Sequence, residues 1–298
     1  MARCLITGHK GYIGSRLFNK LKDQGHTVMG IDLLDSNNGN DLINVLAEDT
    51  DGKFHPYYYN FQPEYIFHLA CWPRVGFSVE NPVKTAKNNI IAGSIVLNFA
   101  RKVGSVKRFI YSSSSSVVGN GSGPASPYAL QKYTTELETS MYPELYGLDT
   151  VSLRYFNVYS PCQEASGPYA TAVANWMKFI REGRNPFITG DGEQRRDMSN
   201  LEDVVDANIF CMNHENQMNG SVFDVGTGNN ISLNEMKEIV MEYFPNLNFE
   251  YLPPRAGDVL YTKANAESFS KIGWSAKVSI DEGIHSCFSS LKKELGYE

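Results

Sequence analysis

No two cysteines in this chain stand close enough to share a metal or to read as a disulfide framework. The five, at positions 4, 71, 162, 211 and 287, are odd in number and scattered, with no Cys-x-x-Cys and no cysteine/histidine cluster. That pattern speaks for reduced thiols and against a zinc site. An excess of positive charge is missing too: 27 lysines and arginines face 33 aspartates and glutamates, for a net charge of -6. Nucleic-acid backbones are held by clustered basic residues, so DNA and RNA are not expected partners. The best apolar run, "IIAGSIVLNFA", is too short to span a bilayer, and the N-terminal segment reaches glycines before any signal-like stretch. A cytoplasmic protein with no membrane partner is the expectation. Internal repeats are absent, and the one low-complexity tract is a short run of serines.

What is present is an ordinary globular composition, 42% hydrophobic and 20% charged, over 298 residues. A chain of that length sits where single cores stop growing, so two lobes are expected.

The segment "RCLITGHKGYIGSRLFNKLKDQG" reads as a short apolar strand, a turn carrying Gly8, Gly11 and Gly14, and a helix ended by Gly25. Glycine serves where backbone must turn tightly or approach a ligand, and the helix start behind it offers N–H groups to a pyrophosphate. The next strand, "HTVMGID", ends in Asp32, 18 residues after Gly14, where a carboxylate would receive adenosine ribose hydroxyls. A carboxylate there repels a 2′-phosphate, and no lysine or arginine lies between Asp32 and Lys53 to attract one. The cofactor reading is therefore NAD rather than NADP.

Strands and helices then alternate: "EYIFHLAC", the helix from Pro82 to Gly104, "VKRFIYSSSS", the helix from Pro127, and "TVSLRYFNVYS". Alternation of this kind implies βαβ crossovers and a doubly wound parallel sheet, with ligands at the carboxyl ends of its strands. "SPYALQKY" places Tyr128 and Lys132 one turn apart on one helix face, behind a Ser126 cap and a proline at the first helical position. A free tyrosine has a pKa near ~10 and a base at neutral pH wants ~7, a gap of roughly 4 kcal/mol. One cation at ~4 Å in a medium of dielectric ~20 supplies about that much, so Lys132 is expected to close most of the gap, with a nearby oxidised nicotinamide and the helix N-terminus adding to it. The serine run supplies hydroxyls to orient a substrate oxygen. His68 reads as a structural histidine, and "HPYYYN" as loop packing.

With these motifs assembled, the chain resembles the extended short-chain dehydrogenase/reductase family, in particular its nucleotide-sugar epimerases of the UDP-galactose 4-epimerase type. "TGHKGYIG", "FHLACWPRVGFSVENP", "NNIIAGS", "VKRFIYSSSSSVVG", "SPYALQK", "LRYFNVYSP", "GDGEQRRD" and "PPRAGDV" occur in the family's order. The resemblance implies an α/β fold, a Rossmann-type doubly wound parallel sheet with a smaller C-terminal sugar-nucleotide-binding lobe. It places the NAD-binding domain at 1–160, with segments near 201–228 returning to it, and the smaller substrate lobe mostly at 161–298. It makes Tyr128 the base, Lys132 its partner and ribose ligand, and Ser114 the hydroxyl that holds the sugar oxygen. For NAD it implies Gly8, Gly11, Tyr12, Ile13, Gly14, Asp32, Asp41, Leu42, Leu69, Ala70, Asn89 and Phe156, together with Tyr128 and Lys132. For the sugar nucleotide it implies Asn157, Arg196, Arg255 and Asp258, besides Ser114. Arg195 stands where the family commonly has a smaller residue, as surface charge or as an extra phosphate contact. The helices from Pro82 and Pro127 resemble those that pair in the family's homodimer.

The reaction these residues imply is 4-epimerisation of a UDP-hexose, glucose/galactose or the N-acetyl forms, through a transient 4-keto sugar. Dehydratase relatives carry an Asp-Glu pair after the position of Ser114, and decarboxylases a glutamate there. Ser115 and Ser116 stand in those places and argue against both. A non-enzymic NAD-binding regulator on the same fold is the reading from a different class, opposed by retention of Ser114, Tyr128 and Lys132.

Overall fold

The computed structural model describes residues 1–35, 56–73, 75–119, 121–163, 165, 171–254 and 260–297. Its central element is a parallel sheet of six strands flanked by helices. The strands are β1 (Arg3–Thr7), β2 (Thr27–Ile31), β3 (Tyr65–His68), β4 (Arg108–Ser114), β5 (Thr150–Tyr155) and β8 (Ser221–Val225), in the order β2-β1-β3-β4-β5-β8. β1 pairs with β2 on one side and β3 on the other, both parallel, so the winding reverses at β1. Such a reversal opens a crevice at the carboxyl ends of the two strands that diverge from it. The glycine turn after β1 and the Leu69-Ala70 segment after β3 both lie there.

The helices of this part are α1 (Tyr12–Asp23), α2 (Pro56–Phe61), α3 (Val75–Glu80), α4 (Pro82–Ala86), α5 (Ala92–Val103) and α6 (Pro127–Tyr146). The helix expected from Pro82 to Gly104 is interrupted: a π turn at Lys87–Ile91 separates α4 from α5, and Gly104, at φ 73°, ends it in the left-handed conformation. A second difference concerns "HPYYYN", whose residues from Pro56 form α2 rather than a loop. Proline is pre-set for a first helical turn. Tyr58, Tyr59 and Phe61 pack on the core, with Tyr59 edge-on to Phe99 at 4.9 Å between ring centroids.

The chain divides into two compact units. The first holds Met1–Val117, Pro124–Arg154 and Val205–Phe223, the second Val118–Gly123, Tyr155–Val204 and Asp224–Glu298. The core of the first is built from Leu5, Ile66, Val96, Phe99, Phe109 and Tyr111, all essentially inaccessible. Here Arg108 is buried against Asp149 at 2.6 Å and donates to the carbonyls of Cys211, His214 and Asn216, closing the end of α8 (Leu201–Asn213).

The second unit contains α7 (Ala172–Arg181), β6 (Phe187–Thr189), β7 (Arg195–Arg196), β9 (Ile231–Ser232), α9 (Leu233–Tyr243), β10 (Glu250–Leu252), α10 (Ala266–Ser270) and α11 (Ile280–Glu294). Trp176, Met177, Ile239, Val240, Ile284 and Phe288 form its core. The helices α9 and α11 each begin with a capping box, Ser232 with Glu235 and Ser279 with Glu282, which satisfies two orphan amide donors at each start.

Candidate active site

The glycine turn is shaped by contact as much as by conformation. Gly8 has φ 77°, and a Cβ on it would lie 2.8 Å from the Ala70 nitrogen. A Cβ on Gly14 would fall 2.0 Å from the Gly8 carbonyl oxygen. Only glycine at both places lets α1 start against β1 and the β3 exit. The first turn of α1 has no side-chain cap, with Gly11 in the capping position. In contrast Ser126, Thr171, Ser232 and Ser279 cap α6, α7, α9 and α11 through their hydroxyls. An uncapped helix start behind a glycine cradle fits a phosphate group, and Tyr12 and Ile13 stand in that first turn. Asp32, just past β2, accepts from the Lys10 amide at 3.0 Å and the Leu34 amide at 3.2 Å. These bonds hold its carboxylate at the end of β2.

At the carboxyl end of β4, three consecutive serines meet α6. The Lys132 ammonium donates to the Ser112 carbonyl at 2.5 Å and the Ser113 hydroxyl to Glu136 at 2.6 Å, while the Ser114 hydroxyl stands near enough to the Tyr128 phenol to favour its ionised form. Ser114 also accepts from the Ser116 amide at 3.2 Å and lies 2.9 Å from the Ser116 hydroxyl. The α6 start is as the sequence implies: Ser126 caps the Ala129 amide and Pro127 is the first helical residue. Tyr128, Lys132 and Ser114 therefore come together, each placed by one helix or one strand. Lys132 also stands 4.9 Å over the Tyr111 ring.

The expectation that Lys132 closes most of the gap to a tyrosinate is corrected. Burial pushes the Tyr128 phenol up to about 12, and the nearby Lys132 charge and the Ser114 hydroxyl offset only part of that. A phenol shut away from water loses more hydration on ionising than one nearby ammonium returns. The share left to an oxidised nicotinamide is therefore larger than the sequence reading gives it.

Asn89 is buried, but its carboxamide is taken up by protein. It accepts from the Trp72 amide at 2.7 Å and donates to the Trp72 carbonyl at 3.3 Å and to Gln131 at 2.8 Å. It thus fixes the segment that follows Leu69 and Ala70. His68, inaccessible, shares a 2.7 Å bond with Thr7. Burial, with Lys132 nearby, lowers its pKa to about 3, so it is a neutral structural group.

In the second unit Phe156 is buried, and Asn157, with φ 37°, donates to the Asp197 carbonyl at 2.7 Å. The Asp197 carboxylate takes bonds of 2.9 Å from the Thr227, Gly228 and Ala264 amides, fixing the residue beside Arg196. Arg196 lies on β7 and is half-buried. Arg195 is a partly exposed charge that pairs within the protein: it donates to both Glu235 oxygens at 3.0 and 2.8 Å and to Asn230 at 2.8 Å. Asp41, Leu42, Arg255 and Asp258 lie outside the described residues. Sequence reading missed Ser113, Glu136 and Arg154, whose guanidinium holds Glu136 at 2.6 and 2.9 Å. The eight-residue interval from Tyr128 to Glu136 on one helix was the available signal. Among the described residues no group of acidic, histidine or cysteine side chains is arranged to hold a metal.

Residues 4–226 match the NAD dependent epimerase/dehydratase family. A UDP-glucose 4-epimerase of Mycolicibacterium smegmatis is 34% identical, covering 95% of this chain and 96% of its own. Among solved structures, UDP-glucose 4-epimerase of Thermotoga maritima with UDP-glucose superposes with a TM-score of 0.84 at 32% identity, covering 98% of this chain and 99% of that one. UDP-N-acetylglucosamine 4-epimerase of Methanobrevibacter ruminantium, in complex with UDP-N-acetylmuramic acid, gives the same TM-score at 30% identity and the same coverages. Matched over most of its length by sequence and by fold, this chain belongs to the NAD dependent epimerase/dehydratase family.

Proposed function

We propose that the protein is an NAD-dependent 4-epimerase of a UDP-hexose, with Tyr128 as its base. The observation that carries this is the convergence of Tyr128, Lys132 and Ser114 where β4 meets α6. Bound NAD supplies the acceptor, and later the donor, of the C4 hydride. Ser114, which accepts from Ser116, is free to present its proton to the sugar 4-oxygen. Tyr128 takes the proton from that oxygen as the 4-keto sugar forms and returns it when the opposite face is reduced. Elimination at C6 needs further acid and base groups, and Ser115 and Ser116 offer none beside Ser114.

For the cofactor we assign Gly8, Gly11, Tyr12, Ile13 and Gly14 to the pyrophosphate, Asp32 to the ribose, and Asp41 and Leu42 to the adenine. Leu69, Ala70 and Phe156 complete that set, and Asn89 supports it through Trp72. Asn157, Arg196, Arg255 and Asp258 are assigned to the sugar nucleotide, since a guanidinium fork suits phosphate oxygens. Five free thiols support a cytoplasmic location, and no helix among the described residues is long and apolar enough to cross a membrane. A homodimer is supported by apolar residues exposed along α6, Leu130, Leu137, Met141 and Leu145, and by Val83 and Ile91 at 71% and 47% exposure. A contiguous apolar face of this kind fits burial against a second copy; Met141→Glu should yield monomers by sedimentation.

Proton NMR of the purified protein with UDP-glucose and with UDP-N-acetylglucosamine, without added NAD, tests the reading. Growth of the galacto epimer from either supports it. No new sugar signal from either, in protein shown to hold NAD, would remove both substrates.

A further inference from the structure

Tyr111 and Ser113, two apart on β4, face α6, and their neighbours on that helix repeat every four residues. Tyr128, Lys132 and Glu136 form one row: the Ser114 hydroxyl stands near the first, the Ser112 carbonyl accepts from the second and the Ser113 hydroxyl donates to the third. The first two contacts belong to the reacting groups. The third involves no residue assigned to sugar or cofactor, yet it is the most heavily anchored. Glu136 and Ser113 are 2% and 3% exposed, and the carboxylate is gripped in two places by Arg154 on β5.

We infer that Ser113, held by the Glu136–Arg154 pair, is a positioning residue that fixes the end of β4 against α6, and so sets the approach of Lys132 and Ser114 to Tyr128. A buried ion pair that is fully hydrogen-bonded is rigid and ties together the elements it spans, here β5, α6 and, through Ser113, β4. The serine run therefore has a division of labour: Ser112 holds the lysine through its carbonyl, Ser114 stands beside the phenol, and Ser113 ties the frame that carries both. Replacing Ser113 by alanine removes one hydroxyl and leaves Glu136 still paired with Arg154, so the fold survives while the register is freed.

The inference rests on Tyr128 as the base, and its test reads that group directly. Tyr128 is faced by Lys132 on its own helix, Tyr111 and Ser114 on β4, and Cys71 after β3. Protein labelled with ¹³Cζ-tyrosine and loaded with NAD is titrated by NMR, the Tyr128 signal being the one that Tyr128→Phe deletes. In Ser113→Ala its midpoint should rise by about one pH unit, roughly tenfold less tyrosinate at neutral pH. Ser113→Thr, which restores the hydroxyl, should bring the midpoint back. Turnover of UDP-glucose should fall in kcat with KM unchanged, and recover at high pH. A folded Ser113→Ala protein with the wild-type midpoint overturns the inference, as does an equal loss of kcat at every pH. A wild-type midpoint above the reach of the titration overturns the base assignment and this inference with it. A shifted midpoint in protein that converts no UDP-sugar supports the positioning role and rejects the epimerase reading alone.

Discussion

Ser78 and Tyr128 are fifty residues apart, and the backbone N–H of Tyr128 donates to the Ser78 hydroxyl at 3.0 Å. That hydroxyl donates in turn to the Val75 carbonyl at 2.6 Å, so the first turn of α6 is capped from α3 as well as by its own Ser126. The tyrosine proposed as the base is thus held by its backbone as well as by its side chain. Ser78→Ala leaves a buried amide at the helix start without an acceptor, a loss of about 1–2 kcal/mol. Thermal unfolding should show that decrease. Steady-state assays should show kcat falling more than KM rises, because Ser78 is not among the residues assigned to the sugar nucleotide; an unchanged kcat would remove Ser78 from the account.

The cofactor cradle makes a sharper prediction. In Gly14→Ala the new methyl must displace the Gly8 carbonyl, which it would otherwise meet at 2.0 Å. That carbonyl is backbone and cannot swing aside, so α1 is pushed away from the turn. Protein purified with this change should release little or no NAD on denaturation, while retaining its circular dichroism. Wild-type NAD content in the variant would show that the turn is not the pyrophosphate site.

His68 ties stability to acid. Its folded pKa of about 3 lies below the unfolded value near 6.5, so the folded protein excludes a proton that the unfolded chain accepts. Its contribution is complete above pH ~6.5 and is lost as pH falls toward 3, at up to ~1.4 kcal/mol per pH unit. Denaturant titrations at pH 7 and pH 5 should show His68→Asn losing less stability between the two than the wild type. Parallel losses would place the acid sensitivity elsewhere.

Arg108 and Asp149, buried at 2.6 Å, offer a test of the fold itself. Arg108→Ala leaves Asp149 without its cation and three carbonyls, one in the last turn of α8 and two after it, without their donor. Removing one member of a buried pair costs about 3–5 kcal/mol. Urea unfolding should reveal a loss of that size, and a loss below ~1 kcal/mol would mean that water reaches this pair freely.

Much of this was legible in the sequence because it is local. The Ser126-Pro127 start, the glycine turn and the Tyr128/Lys132 spacing depend on residues a few positions apart, and each appears in the structure as read. What escaped is non-local. Nothing near Ser78 announces that it serves an amide fifty residues on, and the Ser113–Glu136–Arg154 link joins two strands and a helix. The tyrosine pKa went astray for the same reason: spacing gives the distance to Lys132, but the burial that opposes it is a property of the packed core. "PYYYNF" became a helix because Tyr58, Tyr59 and Phe61 could reach that core, a reward invisible in three adjacent tyrosines. The partner of Arg195, Glu235, lies forty residues later and is likewise invisible from the motif around the arginine.

The most direct measurement is the fate of the hydrogen at C4. UDP-glucose deuterated at C4 is incubated with the protein as purified, no NAD added, beside the Tyr128→Phe variant, and the sugar is followed by NMR and mass. The account predicts a galacto epimer that keeps its deuterium at C4, because the hydride leaves and returns within one site, and almost no product from Tyr128→Phe. A product with protium at C4, or full activity without the Tyr128 hydroxyl, would contradict it.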